Sequence, residues 1–133
     1  MSYQEINIRT RSLTELLDIT GPLARLLHES KVTDGLMVVF VPHTTAAVTI
    51  NENADPSVQE DILADLNRLI PSKGSYRHTE GNSDAHIKST LLGASQTIFI
   101  QKGRLALGTW QGVYFCEFDG PRSRRVWVKV IPD

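Results

Sequence analysis

The feature that most constrains the fold lies after residue 96, where strand-like runs follow one another with almost no chain between them. Thr97–Gln101, Leu105–Leu107, Gln111–Phe118 and Arg125–Ile131 are rich in β-branched and aromatic residues and are bounded by short turns. Parallel neighbours need a crossover of a dozen or more residues, so runs this close pair antiparallel. In the last run Val126, Val128 and Val130 fall on one side and Trp127 and Lys129 on the other, the period of a pleated strand.

The first half of the chain adds strands and helices in alternation. Ile6 and Ile8 alternate with Asn7 and Arg9 in an opening strand. Leu23, Leu26 and Leu27 stand at helical spacing in a short helix that ends near Lys31, with Thr20 as its expected cap and Pro22 in its first turn. Leu36–Val41 is a continuous apolar run, expected to be a strand buried on both faces and closed by Pro42. Ala46, Val48 and Ile50 alternate with Ala47 and Thr49 directly behind it. Asp55 and Pro56 open the clearest helix, whose stripe Val58, Ile62, Leu66, Leu69 and Ile70 closes at Pro71. Residues 72–82 are a polar loop. A third helix begins near Ala85, capped by Ser83 or Asp84, and stops at Gly93. Three modest helices among many strands give a single α+β domain over residues 1–133, with largely antiparallel sheets.

Fourteen basic residues against fifteen acidic ones leave a net charge of −1, so no global field draws the chain to nucleic acid or to a membrane surface. No apolar stretch is long enough to span a bilayer, and the N-terminal residues lack an apolar signal region. The single cysteine, Cys116, sits inside an apolar run and reads as core, and one cysteine cannot make an internal disulfide. The expected location is the cytoplasm.

Candidate chemistry centres on histidine. His43 and Thr44 fall at a corner between two strands, and His78 and His86 bracket the polar segment Thr79–Ala85. Imidazole is both the commonest metal ligand and the usual acid or base at neutral pH. His86, in a first helical turn, is disfavoured as imidazolium by the helix dipole. Three such rings with an open position make a familiar catalytic metal arrangement, although their spacing matches no compact metal motif. His28, on the polar side of its helix, reads as structural. Glu52, directly after a strand, can act as a base or hold a metal's ligands, while Asn53 and Asp55 can simply cap the next helix. Arg122, behind Asp119-Gly120-Pro121, suits a phosphate, and Lys88 can add a second positive charge. Trp110, among Gly103, Gly108 and Gly112, either floors a pocket against a flat ring or is core. No nucleophile elbow is present, which removes a serine-hydrolase reading.

Ser95, Ile98, Ile100, Gly103, Gly108-Thr109-Trp110-Gln111 and Val113 resemble, in order and spacing, the signature of the YjbQ-like family. The match extends through Gly35 to Val41, His43-Thr44-Thr45, Asn51-Glu52-Asn53, His78, Asn82 to His86, and Asp119 to Arg122. Ser83 departs from the alanine often found there. The resemblance implies a β-sandwich-like α+β domain assembled as a homotrimer, with polar, histidine-bearing pockets near subunit contacts. It also implies a weak thiamine-phosphate synthase activity, which couples a pyrimidine pyrophosphate to a thiazole phosphate and releases pyrophosphate. On that reading His43, His78 and His86 converge on a divalent metal or a phosphate-bearing ligand, the metal being zinc or another transition metal for imidazole ligands, with magnesium the usual companion of pyrophosphate. His78, His86 and Glu52 are then the catalytic candidates, with Asp84 helping Glu52 to orient ligands. Arg122, Lys88, Trp110, Thr44 and Asn82 bind a small phosphorylated metabolite. The competing expectation is a non-enzymatic module that stores or senses a metal or an anionic metabolite.

Overall fold

In the computed structural model, which describes residues 2–133, eight strands and three helices form two stacked sheets, with the second and third helices on one outer face and the first at one end of the core between the sheets. The strands are β1 (Gln4–Arg9), β2 (Glu15–Asp18), β3 (Gly35–Phe40), β4 (Ala46–Glu52), β5 (Ser95–Gln101), β6 (Arg104–Leu105), β7 (Gln111–Glu117) and β8 (Ser123–Pro132). The helices are α1 (Thr20–Ser30), α2 (Pro56–Leu69) and α3 (Ser83–Leu92). One sheet has the order β1-β8-β3-β5-β6 and the other β2-β7-β4. Every pairing between neighbours is antiparallel, but only β5 and β6 pair across a short connection, because the chain crosses to the other sheet between β6 and β7 and back again between β7 and β8. No helix among the described residues is long and apolar enough to cross a membrane.

The main core lies between the sheets. Met37 and Val39 of β3, Ile98 and Ile100 of β5, and Val126 and Val128 of β8 meet Val48 of β4 and Val113 and Phe115 of β7. Leu23 and Leu27 of α1 close this core at one end. The opposite face of the three-stranded sheet carries Ala47 and Cys116, which pack with Phe118 under Leu63 and Leu66 of α2 and Ala85 and Leu92 of α3. Burial pushes the Cys116 thiol up to about 12, so the side chain is core and inert.

Several local expectations change. The run in β3 is buried on one face only. Phe40 is exposed, Leu36 and Val38 are half-buried, and with Phe99 and Trp127 they leave an apolar outer face on the five-stranded sheet. An all-apolar run cannot distinguish a strand between two layers from one whose second face lacks a layer. The strand β2 went unread because Glu15–Asp18 has too few residues to show a period. Thr20 does not cap α1. Its hydroxyl accepts from the Val113 N–H at 2.8 Å, and Asp18 accepts the Thr20 N–H at 2.9 Å. Asp55 does cap α2, accepting the Ser57 N–H, with Pro56 in the first turn as expected. Leu69, at the end of that stripe, is exposed. Asn82, not Ser83 or Asp84, holds the cap position of α3.

Candidate functional site

Three connections meet at one end of the sandwich: β3 to β4, α2 to α3, and β7 to β8. Together they wall an open cavity of about 460 Å³ lined by His43, Thr44, His78, Asn82, His86 and Arg122, with Asp119 and Arg124 behind them. Residues far apart along the chain are therefore neighbours here.

His43 is fixed by the backbone of β8. Its Nε2 accepts the Arg125 N–H at 3.0 Å. That nitrogen consequently carries no proton, and the neutral ring holds its proton on Nδ1, as a donor. Burial, then the charges of Arg124 and Arg125, hold the imidazole below its ordinary value and keep it neutral. His78, in the loop before α3, and His86, in its first turn, stand with their rings at 86° and their centroids 5.3 Å apart. Glu80 reaches to 3.9 Å of His78 Nε2.

The β7–β8 turn is held from beneath by a buried ion pair. Glu117 and Arg124 are both withdrawn from water, with Arg124 Nε donating to Glu117 Oε1 at 2.9 Å. The Thr10 hydroxyl donates to Glu117 at 2.7 Å and accepts the Arg122 N–H at 2.8 Å. The Asp119 N–H donates to Glu117 at 3.0 Å, and Arg124 Nη2 reaches the Thr45 hydroxyl at 2.8 Å. Burial pushes the Glu117 carboxyl up, but its bonds from Arg124, Asp119 and Thr10 and the Arg124 charge outweigh it and hold the group ionised. A side chain at Gly120 would run into the Ser12 carbonyl oxygen and the Glu117 side chain, so glycine is required there. Upon this base Asp119 receives the Arg122 guanidinium at 2.9 Å and the Asn82 amide at 2.8 Å.

Four expected participants, Lys88, Asp84, Glu52 and Trp110, lie elsewhere. Lys88 is on the far side of α3 from His86, two residues on. Its amine is buried against Asn67 at 2.6 Å and Asp84 at 3.6 Å, over the Phe118 ring. Its role is to join α3 to α2, with Asp84 as its partner and so withdrawn from the cavity. Glu52 and Trp110 occupy the opposite end of β4, whose seven residues span about 20 Å. There the Asn53 N–H bonds the Trp110 carbonyl at 2.9 Å, and the indole is 63% exposed. A strand carries its two ends apart, which proximity in a family signature does not reveal.

The three-histidine metal centre also differs from expectation. With Nε2 occupied as an acceptor, a neutral His43 has no lone pair left for a metal. Among the described residues no group of three His, Cys, Asp or Glu side chains is arranged to hold a metal ion. His78 and His86 remain as the two rings that can offer a nitrogen to the cavity.

Glu117 and Arg124 escaped the sequence reading, yet a signal existed. Arg124 has the parity of Val126 and Val128 on β8, and Glu117 has that of Val113 and Phe115 on β7. Opposite charges at core-facing positions of two strands joined by a short turn announce a buried pair.

Residues 4–133 match the family model described as UPF0047 protein YjbQ-like. The chain is 58% identical over 126 residues to UPF0047 protein MJ1081 of Methanocaldococcus jannaschii, covering 95% of this chain and 91% of that protein. To UPF0047 protein YugU of Bacillus subtilis it is 47% identical over 127 residues, covering 95% and 96%. The crystal structure of an uncharacterized conserved protein of the YjbQ/UPF0047 family from Clostridium acetobutylicum superposes with a TM-score of 0.95 at 55% identity, covering 96% of this chain and 99% of that one.

Proposed function

Because the chain belongs to the YjbQ-like UPF0047 family, we propose that the histidine-lined cavity binds a small phosphorylated metabolite and supports a thiamine-phosphate-synthase-like transfer. The observation that carries this reading is the convergence of His43, His78, His86 and Arg122 on one cavity. In that reaction a thiazole nitrogen forms a bond to the methylene carbon of a pyrimidine pyrophosphate. The carbon–oxygen bond breaks, and its electron pair leaves with pyrophosphate. Arg122, aimed by Asp119, neutralises the departing oxygens, and the Nδ1–H of His43 donates to them. His78 and His86 are placed to exchange protons with the phosphate groups.

A divalent ion, if bound here, would be held by His78 and His86. Such an ion would supply charge neutralisation for pyrophosphate. The steps given to Arg122 and His43 do not require it. The apolar outer face of the five-stranded sheet, with Phe40, Phe99 and Trp127, supports assembly of copies, for which we propose a homotrimer in the cytoplasm.

One observation favours the second reading, a binder or sensor of an anionic metabolite: neither Glu52 nor Trp110 reaches the cavity within one chain. Turnover of the two thiamine precursors decides between them. His78→Ala and His86→Ala abolish product formation on the enzyme reading while the protein stays folded. Parent-like turnover in both variants refutes the mechanism, and tight pyrophosphate binding by a parent protein without turnover supports the sensor.

A further inference from the structure

A side chain to stack on a flat ring is expected at Trp110, which the fold carries to the opposite end of β4 from the histidines. The aromatic residue that does stand beside them is Tyr76, in the loop between α2 and α3. Tyr76 walls a second hollow, of about 490 Å³, together with Ile87 and with His78 and His86, which line the histidine cavity as well. The same two imidazoles thus border a polar space that contains Arg122 and a mostly apolar one that contains Tyr76 and Ile87. Each space is open to solvent, and the His78 side chain, which borders both, is 43% exposed. A ligand whose anion touches these rings therefore reaches the hollow across an open rim, with no passage through the wall.

The Tyr76 ring is fixed in place by its own loop. Its hydroxyl donates to the Pro71 carbonyl at 2.6 Å, which ties the ring back to the end of α2. A Cβ on Gly74 would come within 3.2 Å of the ring carbon Cζ, so the loop backbone lies directly against the ring and glycine permits the approach. Held at its hydroxyl and against Gly74, the half-buried ring is oriented before any ligand arrives. Such preorganisation lowers the ordering cost of binding. Ile87, the residue after His86 on α3, adds an exposed aliphatic side chain to the same hollow.

Size and chemistry together limit the occupant. The hollow has the volume of a small-molecule pocket, and its aromatic and aliphatic wall suits an apolar group. The guanidinium and imidazoles next door require that this group be attached to an anion. We propose that the hollow seats the flat, unsaturated organic group of a phosphate or pyrophosphate ester whose anion lies at His78, His86 and Arg122, with Tyr76 as the residue that selects it. This inference rests on the anion-binding reading above, and adds to it the subsite for the organic group and the side chain that determines specificity there.

The test compares benzyl phosphate, cyclohexylmethyl phosphate and methyl phosphate by calorimetry at pH 8, where all three are dianions. The parent protein is expected to bind benzyl phosphate about tenfold more tightly than methyl phosphate, and several-fold more tightly than the saturated analogue of the same size. Tyr76→Leu is expected to abolish the preference for the flat ring and to leave methyl phosphate affinity unchanged, whereas Tyr76→Phe, which keeps the ring, retains the preference. Equal weakening of all three probes in Tyr76→Leu makes Tyr76 a loop anchor only and overturns the inference. A measurement on the parent needs no variant: nuclear Overhauser contacts are expected from the benzyl protons to the Tyr76 ring and the Ile87 methyls. Contacts confined to other residues overturn the inference, as do contacts from the Ile87 methyls to a second, differently labelled copy in place of the benzyl ring. Equal affinity of the parent for the three probes overturns it too, and leaves the anion site standing. Failure of the parent to bind any probe overturns the anion-binding reading and this one with it.

Discussion

Arg124→Met is the perturbation that bears most directly on how the cavity is held. It removes the only cation touching Glu117 among the described residues, a carboxylate with no exposed surface, and leaves the Thr10 hydroxyl and the Asp119 N–H as its remaining donors. Breaking a buried pair on one side costs about 3–5 kcal/mol, and the two surviving bonds place this case near the lower limit. At roughly 4 °C per kcal/mol for a domain of this size, the melting temperature falls by roughly 10–15 °C. The pH dependence is more diagnostic than the loss itself. In the parent the folded Glu117 carboxyl lies below its ordinary value of 4.5, so its stabilisation is present above that value and is lost as pH falls through the folded value. In the variant, burial is no longer outweighed and the folded value rises above the unfolded one. The penalty at neutral pH is then relieved as pH falls, and stability rises on going from pH 7 toward pH 5. Urea denaturation at several pH values reads both trends, with Arg124→Met/Glu117→Leu as the control in which the buried charge is gone and most of the loss is recovered. A variant that melts within about 2 °C of the parent, or that weakens with acid as the parent does, refutes the reasoning.

Other outcomes follow from the same geometry. Nitrogen-detected NMR of His43 should show the Nδ1–H tautomer at pH 7 and a titration midpoint below 6.5, because burial and the two arginines disfavour the charged ring; an Nε2–H tautomer contradicts the assignment. Lys88→Met should lower stability by roughly 3 kcal/mol through its stranded Asp84, yet leave pyrophosphate affinity unchanged, since the amine faces α2. Cys116 should resist an aromatic disulfide reagent in the native protein and react at once in urea, as its burial and raised value of about 12 require. In zinc titrations followed by calorimetry, His86→Ala should weaken any binding while His43→Ala should not, because the latter ring has no free lone pair.

Much of this fold is legible in the residue pattern. The alternation of β8 and the Asp55-Pro56 start of α2 each state a local rule that tertiary packing keeps, whereas the tight spacing after Thr97 gives only the β5–β6 pair, since β7 lies in the other sheet from β6 and β8. The failures share a cause, namely that period and capping describe a segment's own geometry and not what lies across from it. Thus β3 looks buried on both sides because its sequence does not record that one layer is missing. The histidines are conspicuous because polar flanks leave them nothing to pack against. Lys88 misleads for a related reason: a charge near a helix start reads as a ligand contact until the Asp84 and Asn67 that consume it are seen. Glu117 and Arg124 are legible only when two strands are read together, core face against core face.

The central claim is that distant imidazoles and Arg122 form one anion-binding cavity. A titration of isotope-labelled protein with pyrophosphate, followed through the histidine ring signals, tests it most directly. Concerted shifts of His43, His78 and His86 with one affinity, much weakened by Arg122→Ala and with His28 unmoved, are the expected result. Ring signals that stay still while pyrophosphate binds elsewhere, or that respond with separate affinities, contradict it.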